Sequence, residues 1–414
     1  MLNYVQQNQQ QRFIEIICLI MLFWVPHIGL DYVFDAESGR KLQLPNGQYV
    51  FFFSSLLASV YLLRSTRFDD LRVIFSYKTL WAGMALLLLG VTLSSTGVWG
   101  WRLAAIVGLC SVMSIIAANF VMSSSTKTQA LAAFLVMVPF FIPVLGSVFL
   151  EFFGPIDVGV ELVNLTHAGS RWRFLNMSAN GFGFDAAFVS LFLAIGVSFA
   201  KHVTIRLILI VLLFFSLYAL VLSGTRAAYI FFLVALTIFA VIKYGRRAML
   251  VVVGAILFTI LFVFISDSVE TVKAFLRLEG TLERISSKRW VGIVGMWDLF
   301  NASPLMGLGF GAADDQFPIY PSNSFYMGLL AEVGIFGFLG VLFILAYPIK
   351  YFVVLPFKLI IPRDAPLLVM CSAAVLAGFV PYLMFEFDVL RVSVNNQLFF
   401  FCWGVLMFHF MKVR

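Results

Sequence analysis

The tetrapeptide Ser223-Gly224-Thr225-Arg226 sets a permanent cation in a four-residue break between two apolar runs, 205–223 and 227–243. A guanidinium this close to hydrocarbon costs about 2.5–3.5 kcal/mol at a helix centre, and less near an interface. No acid lies within twenty residues on either side. Either the side chain reaches up to lipid phosphate, or it meets a partner in a polar cavity; the cavity is the preferred reading. Arginine offers a planar fork of donors that matches phosphate or carboxylate in a bidentate way, and it never deprotonates. Arg171-Trp172-Arg173-Phe174-Leu175-Asn176-Met177-Ser178-Ala179-Asn180 puts two arginines around a tryptophan and follows them with two asparagines. That combination can hold a sugar face and a phosphate, although aromatic and basic residues also mark membrane interfaces. A third stretch carries Arg284, Lys288, Arg289 and Trp290.

The elements that must position these residues are hydrophobic. Of 414 residues, 62% are apolar and only 12% charged, where a soluble domain carries roughly 25% charge. Lipid accepts that much apolar surface provided the backbone bonds itself. A spanning helix needs about 20 apolar residues, and runs that qualify lie near 13–30, 49–64, 79–97, 102–122, 129–150, 183–200, 205–223, 227–243, 248–266, 325–347, 365–385 and 397–411. The expectation is an all-α polytopic membrane protein of about twelve transmembrane helices, forming a single transmembrane domain over 1–414. The first run follows a Gln-rich tail and reads as an uncleaved anchor. Cys18, Cys110, Cys371 and Cys402 all fall inside apolar runs, so neither disulfides nor a metal cluster is expected.

With the N-terminus cytoplasmic, sixteen of the 28 basic residues fall in short cytoplasmic connections, and all but four of the 21 acids lie at or near the other face. Both distributions agree with the positive-inside rule, which places both termini in the cytoplasm. The twelve basic residues left outside are nine arginines and three lysines. Arginine concentrated there points to an anionic ligand, with a phosphorylated lipid head group the preferred reading. For Arg40, Lys273 and Arg277 the nearby acids make ion pairs the preferred reading.

Three outside segments stand out by length: 31–48, 151–182 and 267–324. Structureless loops beyond about 12–15 residues are usually functional or disordered, and the aromatic content of the last two argues against disorder. Trp290, Val291, Val294, Trp297 and Phe300 recur at helical spacing, as in a helix lying along the membrane surface. Ser303-Pro304-Leu305-Met306-Gly307-Leu308-Gly309-Phe310-Gly311 combines a proline stop with alternate glycines, a backbone needing close approach or positive φ. It does not follow a strand and open a helix, which excludes a dinucleotide loop.

Taken together these residues resemble the O-antigen ligase and O-antigen polymerase superfamily of bacterial membrane glycosyltransferases. Ser223 to Arg226 is similar to the family's serine-glycine-serine-arginine turn, and Arg173 to Asn180 to its arginine-aromatic-asparagine approach to an earlier span. The longest match runs through Arg289-Trp290, Ser303-Pro304-Leu305, Gly307, Gly309, Gly311, Asn323, Glu332, Gly334 and Gly337. The resemblance covers roughly 165–345.

It implies a GT-C-like glycosyltransferase that uses undecaprenyl-diphosphate-linked oligosaccharide at the outer face of the bacterial cytoplasmic (inner) membrane, without metal or cofactor. Segment 267–324 is then the active-site cover. Arg226, Arg289 and Arg284 would be the catalytic set holding the diphosphate, and Arg171, Arg173, Asn180, Ser322, Asn323 and Glu332 would bind substrate. Ligases of the family carry a histidine-asparagine pair where this chain has Ser322-Asn323. His167 and the acids Asp314, Asp315 and Glu332 are the remaining base candidates, with a structural Glu332–arginine pair preferred over a catalytic Glu332. The missing histidine favours a polymerase that joins lipid-linked repeat units. A ligase transferring glycan to a lipid A-core acceptor is the alternative, and a lipid-linked sugar flippase is the alternative of another class. No paired broken helices or internal repeat of the kind transporters show are apparent in the sequence. The expected partners are the lipid-linked oligosaccharide and membrane lipid, with a chain-length regulator and a flippase as candidate protein partners and no nucleic acid.

Overall fold

In the computed structural model, residues 2–25, 53–58, 78–93, 97–153, 160–164, 170–174, 179–245, 248, 282–309, 325–358, 365–384 and 394–412 are described. Eleven helices are labelled among them: α1 (Leu2–Leu19), α2 (Lys78–Leu93), α3 (Gly97–Met122), α4 (Thr126–Phe153), α5 (Ala179–Phe199), α6 (Val203–Ser223), α7 (Arg226–Tyr244), α8 (Leu282–Ala302), α9 (Phe325–Lys358), α10 (Leu367–Tyr382) and α11 (Val394–Lys412). Five are long and apolar enough to cross a membrane: Thr126–Phe149, Asn180–Phe199, Val203–Ser223, Arg226–Tyr244 and Phe325–Ile344. This is a helical membrane protein. The runs expected at 49–64 and 248–266 and the segment 31–48 fall wholly or mostly outside the described residues.

Two expectations change at the helix ends. The Gln-rich stretch read as a tail is helical, since α1 begins at Leu2. The loop expected over 151–182 is shorter, because α4 runs to Phe153 and α5 starts at Ala179. Hydropathy trims polar helix ends such as Glu151 and Asn180, whose backbones are still helical. Between them lies a two-stranded antiparallel ribbon, β1 (Val160–Asn164) and β2 (Ser170–Phe174), with Arg173 opposite Glu161 and Arg171 opposite Val163.

The packing order is that of lipid rather than water. On α6 the exposed face is Val203, Leu207, Ile210, Phe214 and Val221, while Ser216, Ala219, Leu220 and Ser223 point inward. Small and hydroxyl side chains let neighbouring backbones approach and bond across helices; Ser190 of α5 and Ser216 of α6 share a buried hydrogen bond of 2.8 Å. On α2 and α9, a Cβ added at Gly83 would sit 2.5 Å from the Gly340 carbonyl oxygen, and one at Gly340 would sit 2.6 Å from that of Gly83. The interior gathers aromatics from four helices, with Phe184 ring centroids 4.9 Å from Phe231, 5.3 Å from Phe379 and 5.1 Å from Tyr382, and Phe399 5.5 Å from Phe379.

Helix α4 carries Pro139 and Pro143 inside it. Pro139 has no N–H, so the Leu135 carbonyl four residues back loses its helical donor. Trp24, at the end of a π-helical turn over Ile20–Trp24, supplies the replacement: its indole Nε1 donates to Leu135 O at 2.7 Å. Trp24→Phe keeps the ring and removes the donor. It is expected to lower stability by about 1 kcal/mol, the low end of the cost of a stranded acceptor, because Leu135 is only partly buried. Thermal unfolding in detergent measures this, and an unchanged transition would mean that the carbonyl finds another donor.

Candidate active site

The break at residues 223–226 is a tight helix-to-helix turn. Gly224 closes α6 in the left-handed region (φ 56°, ψ 29°), and extended Thr225 (φ −96°, ψ 102°) opens α7 with Arg226 as its first residue. A glycine is the residue best suited to that αL position. The last carbonyls of α6 would be orphans. Tyr229, one turn into α7, reaches back and its hydroxyl lies 3.1 Å from both Leu220 O and Val221 O. Ser223 donates to Leu220 O at 2.7 Å, and its Oγ accepts from Thr225 N at 3.3 Å. Ser223 and Thr225 are buried and Arg226 is half-buried. The turn is therefore rigid, and it fixes the backbone from which the Arg226 side chain projects at the end of the bundle.

Helix α5 abuts this turn through Gly183. A Cβ there would lie 2.6 Å from Thr225 Cβ and Oγ1 and 2.8 Å from Ser223 Oγ. Asn180 is three residues earlier, which puts it on the same helix face one turn nearer the end. Strand β2, which carries Arg171 and Arg173, packs against α4, α5 and α6. Only residues 175–178 separate it from α5, so it lies at the end of α5 that meets the turn. The structure thus gathers Arg226, Asn180 and the backbone of the Arg171–Arg173 strand at one end of the bundle.

The second group lies around α9. This helix is broken at Gly334, whose φ of 61° and ψ of −167° are not helical. A break is a departure from the sequence reading, which found none. Four backbone groups that a continuous helix would pair internally are freed, the carbonyls of Ala331 and Glu332 and the N–H groups of Ile335 and Phe336. The glycine segment after α8 takes up all four. Leu308 N donates to Ala331 O (3.0 Å) and Gly309 N to Glu332 O (2.8 Å), while Ile335 N donates to Pro304 O (2.9 Å) and Phe336 N to Leu305 O (3.2 Å). Gly307 and Gly309 have positive φ, 70° and 125°, as the alternate-glycine pattern implied. Glu332 is fully buried beside the break.

Arg284 and Arg289 belong to the first half of α8, whose second half packs on α9 through Met296 against Ala331, with Leu299 and Met327 alongside. Val291, Val294 and Trp297 form an exposed apolar stripe on α8. Ser322, Asn323, Asp314 and Asp315 lie outside the described residues.

The two groups share one end of the molecule. Phe325 N, at the start of α9, donates to Leu383 O, and the Tyr326 hydroxyl to Val380 O (3.1 and 3.3 Å), at the end of α10. Phe379 and Tyr382 there pack tilted or edge-on against Phe231 of α7 and Phe184 of α5, a few residues beyond Arg226 and Gly183. Sequence reasoning missed Gly183, Tyr229 and the buried Asp185, two residues past Gly183. A lone acid inside the apolar run 183–200 was a legible signal, because carboxylates inside spans tend to be functional. The contacts of Gly183 and Tyr229 have no counterpart in sequence.

No curated protein matches the chain. Residues 209–342, about a third of the chain, match the family model described as O-antigen ligase. That segment runs from α6 through the Arg226 turn, α8 and the glycine segment into α9, and leaves Arg171, Arg173 and Asn180 outside it. Over residues 209–342 the chain is therefore similar to the O-antigen ligase family, which supports its resemblance to the O-antigen ligase and polymerase superfamily.

Proposed function

We propose that this protein is a polymerase that joins undecaprenyl-diphosphate-linked oligosaccharide repeat units at the outer face of the bacterial cytoplasmic membrane. The observation that carries the reading is Arg226, the first residue of α7 on a rigid turn, inside the family-matched segment. The orientation is supported by charge. Lys127, Lys201, Arg206 and Lys243 all sit at the end of the bundle away from that turn, where the positive-inside rule puts the cytoplasm.

In the proposed reaction an acceptor hydroxyl oxygen attacks the anomeric carbon of the donor sugar. The bond from that carbon to the diphosphate oxygen breaks, its electron pair leaves with the lipid diphosphate, and the hydroxyl proton passes to solvent or to the departing phosphate. Negative charge builds on the leaving group, so fixed cations aimed at it contribute most to the rate. Arg226 would supply one, with Arg284 and Arg289 of α8 supplying the others. Arg171, Arg173, Asn180, Ser322, Asn323 and Glu332 would bind the glycan and phosphate around them. An early-leaving diphosphate asks little of a general base, which suits a chain with serine at position 322.

Incubation of purified protein with a defined lipid-diphosphate repeat unit, followed by sizing of the glycan, tests the reading. Products at multiples of the repeat are expected. Transfer of a single preassembled chain to a lipid A-core acceptor, with no lengthening, would instead establish the ligase, which the family match supports equally. A flippase is the weaker reading. The ends of a broken helix bind substrate in many transporters, but those at Gly334 are taken up by residues 304–309.

A further inference from the structure

Residues 303–309 form a strap that meets α9 well inside its apolar span, with Gly307 and Gly309 buried and Pro304 and Leu305 exposed. Gly334 is nine residues past the start of α9, about 14 Å along the helix axis at 1.5 Å per residue. Irregular backbone at such depth in a membrane protein persists only where protein or a watered cavity satisfies it. Here the satisfaction is reciprocal: two donors and two acceptors on the strap meet two acceptors and two donors on α9. Both sides need glycine. A Cβ at Gly307 would overlap the Glu332 carbonyl and Val333 N, and one at Gly334 would sit 2.5 Å from Leu305 O and Met306 N, each at a positive φ.

We propose that Gly307 and Gly334 are positioning residues, and that the strap-to-helix exchange fixes α8, with Arg284 and Arg289, relative to the turn at Arg226. This role rests on the glycosyl-transfer reading above. The strap follows α8 directly at Ser303, so anchoring the strap anchors the end of α8. The first half of α9 is in turn tied to α10 by the Phe325 and Tyr326 hydrogen bonds, and α10 packs on the helices that carry Arg226 and Gly183. The four bonds also have a ready competitor. In a straight α9, Ala331 O and Glu332 O would accept from Ile335 N and Phe336 N, and the strap would have nothing to hold.

Gly334→Ala favours that straight helix, because alanine disfavours φ of 61° and its methyl displaces the strap. Three measurements on the purified full-length protein test the role: amide hydrogen exchange, thermal unfolding, and kcat and KM for lengthening a defined lipid-diphosphate repeat unit. In Gly334→Ala, the Leu308 and Gly309 amides are expected to lose protection while those of Ile335 and Phe336 keep it. Displaced arginines weaken contacts made to the developing charge more than ground-state binding. Accordingly kcat is expected to fall about tenfold, with KM changed by less than about twofold. Gly340→Ala is the control: it crowds α2, where Gly83 O and Leu87 N would lie 2.6 and 2.7 Å from its methyl. It is expected to lower the unfolding temperature and leave kcat and KM per folded molecule unchanged.

Wild-type kcat in Gly334→Ala despite exposed strap amides overturns the positioning role alone, as does a loss of kcat in Gly340→Ala equal to that in Gly334→Ala. Wild-type protein that leaves the repeat unit unlengthened overturns the glycosyl-transfer reading, and this role with it. Wild-type strap amides that exchange freely overturn the exchange itself.

Discussion

Arg226→Ala is expected to cut glycan lengthening by about 10²–10³-fold, the range seen when one fixed donor to a developing anion is removed. The α6–α7 turn is set by Gly224 in the left-handed region, by Ser223 on Leu220 O and by Tyr229 on two carbonyls of α6. None of these bonds uses the Arg226 side chain, so the turn itself should persist in the variant, and activity is compared per folded molecule. Arg226→Lys should restore only a small part of the activity, because an ammonium keeps the charge and loses the planar fork. The measurement is the length distribution of glycan made from a defined lipid-diphosphate donor, per folded molecule. Undiminished lengthening by Arg226→Ala would remove the main support for the proposed mechanism.

Much of this arrangement was legible in sequence because lipid imposes so few solutions. Runs of apolar residues located α4 to α7, α10 and α11 to within a few residues, since each spanning helix must satisfy its own backbone. They also located the start of α9, which continues to Lys358 beyond its expected end at 347. The turn at Arg226 was visible for a related reason: a cation in an apolar run has to be accounted for. What stayed hidden depends on groups meeting across the fold. Gly334 looks like any glycine of a spanning helix, and only the strap shows why α9 breaks there. Trp24 and Pro139 lie 115 positions apart, and nothing in either segment announces that one repairs the hydrogen bond the other removes. The β1–β2 ribbon was hidden because Arg171-Trp172-Arg173 was read for its side chains, while its strand character depends on pairing with 160–164.

The close approach of α5 to the Arg226 turn yields the second large effect. Gly183→Val adds branched bulk where even a single Cβ would fall 2.6 Å from Thr225 Cβ and 2.8 Å from Ser223 Oγ. Those atoms are short side chains on a buried turn, and Ser223 already donates to Leu220 O, so neither can move away alone. Overpacking of this kind costs about 1–3 kcal/mol. Strain relief must come from α5 and the turn moving apart, which separates Asn180 from Arg226. A misplacement of about 1 Å in a reacting constellation can cost about 10²-fold in rate, so lengthening activity per folded molecule is expected to fall by about that factor. Gly196→Ala, further along α5 where the added methyl meets only Leu209 at 3.3 Å, should lose little activity. If both variants lost stability but kept wild-type rates, α5 would be a packing element only, and Asn180 would have no part in the site. A rate loss confined to Gly183→Val would show instead that the seating of α5 on the turn sets the geometry of Arg226.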